Sequence, residues 1–99
     1  MSRRDRSISA YTTTTTKVVA SATVVPLLPA SNGSRLYGSI YNDVGSADLY
    51  VKLGEGAGVD DYGLVVAGGN FFVLPESYMG IVTGIWASAV GSARVQDIS

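Results

Sequence analysis

The run RLYGSIYNDVGSADLYVKL, residues 35–53, decides the fold class. Its second half alternates strictly, with Leu49, Val51 and Leu53 on one side and Asp48, Tyr50 and Lys52 on the other. A period of two marks a strand with one buried face, because successive side chains of a strand point to opposite sides of the sheet. The first half repeats the pattern, setting Leu36, Gly38 and Ile40 against Arg35, Tyr37, Ser39 and Tyr41. Asn42-Asp43-Val44-Gly45-Ser46 between them has turn chemistry, so the stretch predicts an antiparallel hairpin.

Working outward, the same signals recur. Tyr62 to Ala67 and Phe71 to Leu74 are apolar runs around Gly68-Gly69-Asn70, which predicts a second hairpin. Ile81 to Ser88 alternates again, with Val82, Gly84 and Trp86 opposed to Ile81, Thr83 and Ile85, and Ala93 to Ile98 reads as the last strand. Upstream, residues 18–29 are apolar and rich in β-branched pairs. Pro26 lacks a backbone N–H, so this segment is expected at a sheet edge. Six or seven short strands with frequent turns predict an all-β domain, a small antiparallel β-sandwich or, alternatively, a small β-barrel.

Residues 1–17 read differently. Arg3, Arg4, Arg6 and Lys17 face a single acid, Asp5, so this segment carries +3, whereas residues 18–99 carry −4. Thr12, Thr13, Thr14, Thr15 and Thr16 form an uninterrupted run, extended by β-branching but with little to bury. The expected organisation is an extended basic N-terminal arm, residues 1–17, followed by one β domain, residues 18–99. An arm of opposite charge to its body points to contact with something else.

Composition narrows the chemistry. The 99 residues contain no Cys and no His, which removes thiolate chemistry, disulfides and the commonest general base and neutral metal ligand. The Ser and Thr side chains have no partner base for nucleophilic catalysis. Glu55, Asp60 and Asp61 share a Gly-rich loop but match no calcium-binding spacing, and turn chemistry accounts for them. Gly54-Glu55-Gly56-Ala57-Gly58 is followed by two acids instead of a helix and a Lys, which disfavours phosphate. No catalytic residue, metal ligand or cofactor is expected. Neither a signal peptide nor a membrane-spanning run is read from the sequence, so the expectation is synthesis in a cytoplasm and no membrane partner. Nucleic acid is disfavoured as a partner because the body is acidic and such binding is largely electrostatic.

The order of several motifs carries a resemblance. Ile40-Tyr41-Asn42-Asp43, then Ser46 to Gly54 (SADLYVKLG), Asp61-Tyr62, Ala67-Gly68-Gly69, Leu74-Pro75-Glu76, Tyr78, Gly80 and Val82-Thr83-Gly84-Ile85-Trp86-Ala87 together resemble a group of small bacteriophage structural proteins of about this length. The match covers residues 35–98. The resemblance implies a β-rich virion component with no catalytic residues. The expectation is therefore a non-enzymatic capsid decoration or cement protein in the phage particle, made in the bacterial host cytoplasm. Its partner would be the major capsid protein or another virion protein, with a homo-oligomer, a trimer, as the assembly. Capsid contact is assigned to Arg3, Arg4, Arg6 and Thr12 to Thr16, and oligomer contact to Tyr37, Tyr41, Tyr50 and Trp86. The alternatives are a tail, neck or head-fibre component, and a glycan- or nucleic-acid-binding β module.

Overall fold

A computed structural model of the chain describes residues 13–31, 35–43, 47–75 and 78–98. Eight strands fill these segments: β1 (Thr13–Val19), β2 (Val25–Leu28), β3 (Tyr37–Asp43), β4 (Leu49–Lys52), β5 (Leu64–Val66), β6 (Phe71–Val73), β7 (Val82–Trp86) and β8 (Ser92–Ile98). They form two four-stranded sheets, ordered β1-β8-β3-β6 and β2-β7-β4-β5. The all-β sandwich expected from the sequence is what the chain adopts: among the described residues it forms two open four-stranded sheets, not a closed barrel.

The pairing has a simple logic. β1 pairs with β8, β2 with β7, β3 with β6 and β4 with β5, all antiparallel. The first half of the chain thus runs against the second as one long ribbon. The ribbon is rolled so that β8 also pairs with β3 and β7 with β4. Eight antiparallel strands in two sheets joined this way make a jelly roll.

This connectivity corrects both expected hairpins. β3 and β4 lie in different sheets, as do β5 and β6, so the turns after Asp43 and around Gly68-Gly69 are arches across the sandwich. Gly69 does take the positive φ expected of it (83°). Its N–H, however, bonds to the Asn42 carbonyl (2.8 Å) instead of closing a two-stranded hairpin. The consecutive strands that do pair are β4 and β5, across the Gly-rich loop.

The core lies between the inner faces. Ile40, Ala93 and Val95 come from one sheet and Leu49, Val51, Val66, Val82 and Trp86 from the other, all buried. The alternation read at 48–53 is the alternation of β4; in β7 Val82, Gly84 and Trp86 face the core, but Thr83 on the opposite side is buried too. Gly84 serves close approach: a Cβ there would sit 2.7 Å from Leu27 Cδ1 and 3.0 Å from Leu49 Cδ1. Pro26 lies in edge strand β2, where the pairing with β7 shifts register between Pro26 and Leu28. That is where a residue without an N–H does least damage.

The boundary placed between residues 17 and 18 falls inside a strand. Thr13 to Lys17 belong to β1 and continue in unbroken register with Val18 and Val19 along β8, from Thr13 opposite Ile98 to Val19 opposite Ser92. The Thr run reads as an arm because both of its faces are polar. It is a strand because the β8 edge supplies a hydrogen-bonding partner. Arg3, Arg4, Arg6 and Thr12 lie outside the described residues, as do the turn residues Asn32-Gly33 and Gly45-Ser46.

Candidate interaction surface

Most conspicuous polar side chains are consumed in holding the two sheets together. Asn42, on β3, is fully buried. Its Nδ2 donates to the carbonyls of Ala47 and Val66, both at 2.8 Å, and its Oδ1 accepts from Trp86 Nε1 at 3.2 Å. Its backbone N–H bonds to Asn70 O at 2.9 Å. One side chain thereby joins β3, the approach to β4, β5 and β7. A buried amide is tolerated when its donors and acceptors are met, and such a network then fixes one arrangement against alternatives.

Arg35 performs a similar task at the opposite end. The sequence placed it on an outward face, beside the tyrosines; instead it is buried. Its Nη1 points at the carbonyls of Gly80 (3.3 Å) and Tyr78 (3.4 Å), and its Nη2 donates to Pro29 O. Its Nε faces Asp97 Oδ2 at 3.5 Å. It therefore ties the chain before β3 to the approaches of β7 and to β8. The reason lies far away in sequence: three loop carbonyls converge where a cation with several donors fits. Leu36, expected inward, is exposed because β3 begins only at Tyr37.

The Gly-rich loop is also structural. Thr83 Oγ1 donates to Gly54 O (2.6 Å) and accepts from the Ala57 N–H (3.2 Å), so the loop folds over the outer face of β7 and buries Thr83. Asp61 pairs with Lys52 at 2.8 Å. Among the described residues no group of three acidic or other ligating side chains is placed to hold a metal.

The outer face of the first sheet mixes aromatic and apolar side chains with polar ones. Pairing across the first sheet sets Lys17, Arg94, Tyr41 and Phe71 in one row on its outer face, and Thr15, Gln96, Ser39 and Val73 in the next. Tyr37 follows, opposite Ile98. Phe71 is 69% exposed, and Tyr37, Tyr41 and Val73 each about 40%. Arg94 reaches Asp43 at 3.5 Å in the same layer. Exposed apolar residues gathered on one face mark a contact surface.

The residues assigned to oligomer contact from sequence separate into three places. Tyr37 and Tyr41 share this outer face. Tyr50 lies on the other sheet, where its ring sits 4.9 Å from that of Tyr62. Trp86 is 1% exposed and belongs to the core, so it offers nothing to a partner. Its apolar neighbours at alternating positions mark it as inward, and only the distant Asn42 explains why an indole, with an N–H to satisfy, fits there. Phe71 and Val73 were missed because an apolar run on a short strand does not say which of its residues point out. Of the residues assigned to capsid contact, Thr13 to Thr16 are exposed on β1. Compared with known proteins, the chain matches no family model, no curated protein and no solved structure. The fold and its surfaces define a jelly-roll β-sandwich with an exposed aromatic face.

Proposed function

We propose that the chain is a non-enzymatic structural protein of a bacteriophage particle, a decoration or cement component that docks on the head lattice. The observation that carries this reading is the outer face of the β1-β8-β3-β6 sheet, where Tyr37, Tyr41, Phe71 and Val73 stay exposed while Asn42, Arg35 and Thr83 are spent inside. A face of this kind suits a flat protein partner better than a small ligand, since aromatic residues dominate the energetics of protein contacts. The motifs that resemble phage structural proteins agree with this. They supply Asn42, the loop over Thr83 and the core strand β7, and so encode a scaffold. Jelly rolls also recur among viral capsid domains, which supports the reading by analogy of fold. A small domain repeated at each lattice point gains attachment strength from multiplicity without a large individual interface.

The test is copy number in purified particles, measured by gel densitometry against the major shell protein. A simple fraction of the shell copy number is the expected result. A handful of copies would move the protein to the tail, the neck or a head fibre, which the same surface would serve. Absence from the particle would overturn the virion reading.

A further inference from the structure

The four free sheet edges are not alike. β5 and β6 are three residues each, and β2 carries Pro26 and a register shift. Short strands, proline and irregular pairing are the devices by which proteins keep edges from pairing with other chains. β1 has none of them. It is seven residues long, in unbroken register with β8 on one side, with Lys17 as its only charge. Among the described residues no strand lies on its other side, and Thr13 to Lys17 are exposed on both faces. Beside it, Thr14 and Thr16 with Leu27, Leu28 and Val95 line an open cleft of about 250 Å³ between the sheets.

We infer that β1 docks a second copy of this chain, edge to edge and antiparallel, and that the pair forms one continuous eight-stranded sheet. The sequence of the edge is complementary to itself. With full overlap, Thr16 meets Thr16 on the two-fold axis, Thr15 faces Lys17, Thr14 faces Val18 and Thr13 faces Val19. The two Lys17 ammonium groups are therefore not opposed, and Thr-Thr pairs are favourable cross-strand partners. A seven-residue edge is only about 23 Å long, and it covers far less than the roughly 800 Å² per partner of a standard interface.

The edge alone therefore makes a weak pair whose population rises with concentration. The resulting assembly is two-fold, in place of the trimer expected from the sequence, and it does not depend on the virion reading, because it is measured on the purified chain alone.

The experiment is sedimentation equilibrium of the full chain over about a hundredfold range of concentration. The expected species is a dimer whose fraction rises with concentration. Thr13→Lys with Thr15→Lys, both at exposed positions, places like charges across the two-fold axis and raises the dissociation constant at least tenfold. Phe71→Lys with Val73→Lys adds the same charge on the outer face at the β6 edge and leaves the dimer intact. Circular dichroism confirms that each variant is folded. A chain that stays monomeric, forms a trimer, keeps its dimer in the Thr→Lys variant, or loses it equally in the Phe71 and Val73 control overturns the inference.

Discussion

The two ends of the roll treat their polar groups in opposite ways. At the end where β3 crosses to β4 and β5 to β6, the Asn42 side chain meets two backbone carbonyls at 2.8 Å and the Trp86 indole N–H at 3.2 Å and is closed from water. At the other end Arg35 Nη2 donates to Pro29 O and its Nη1 points at the carbonyls of Gly80 and Tyr78 at 3.3 and 3.4 Å, but its Nε and Asp97 Oδ1 have no hydrogen bond among the described residues. Beside Asp97 lie the open cleft and β1, the outermost described strand of its sheet. At the first end every polar atom of the buried side chain is satisfied; at the second, two buried polar atoms are not. The contrast teaches that in a small sandwich one well-satisfied polar residue can fix how the chain crosses between sheets.

The comparison breaks most visibly at Trp86. Trp86→Ala empties the centre of the core and strands Asn42 Oδ1, and a loss of about 4 kcal/mol is expected in urea unfolding. That is a large fraction of the stability of a domain this size. Asn42→Ala comes next. It leaves two carbonyls and the indole N–H without partners, at a cost of about 3 kcal/mol. In a Trp86→Phe background the same change should cost less, because one of those orphaned groups is gone; equal costs in both backgrounds would show that the indole bond contributes nothing.

Arg35→Met sharpens the contrast. It keeps the volume and removes the cation, and a loss of about 2 kcal/mol is expected, below the range for a fully enclosed pair because Asp97 keeps 22% exposure. A loss greater than that of Asn42→Ala would reverse the ranking of the two ends. Thr15→Ala is the smallest. Its side chain is exposed, so the unfolding midpoint should shift by no more than about 0.5 kcal/mol equivalent.

How much of this was legible in the sequence depends on the distance over which each feature is decided. Burial of Leu49, Val51, Val82 and Trp86 follows from local alternation and was readable. Pro26 at an edge follows from its missing N–H. The sheet assignment of β3 and β4 was not readable, because a turn between two amphipathic strands looks the same whether it closes a hairpin or crosses a sandwich. Asn42 decides between them through Ala47, Val66 and Trp86, the last of these 44 residues away. Arg35 was misread for the same reason, since its partners lie at residues 29, 78, 80 and 97. The Thr run showed its extended backbone but not the partner that makes it a strand. On the surface, Tyr37 and Tyr41 were legible as outward residues, whereas the contribution of Phe71 needed the β3–β6 pairing.

Residue-resolved amide hydrogen exchange of the full chain, at low and at high concentration, tests the division between a self-sufficient end and an open edge most directly. The account predicts that the amides of Asn42 and Trp86 are strongly protected at both concentrations. Along β1, alternate amides should exchange quickly in dilute solution and become protected as concentration rises. Uniform protection of β1 in dilute solution, or alternate β1 amides that stay fast at every concentration, would contradict it.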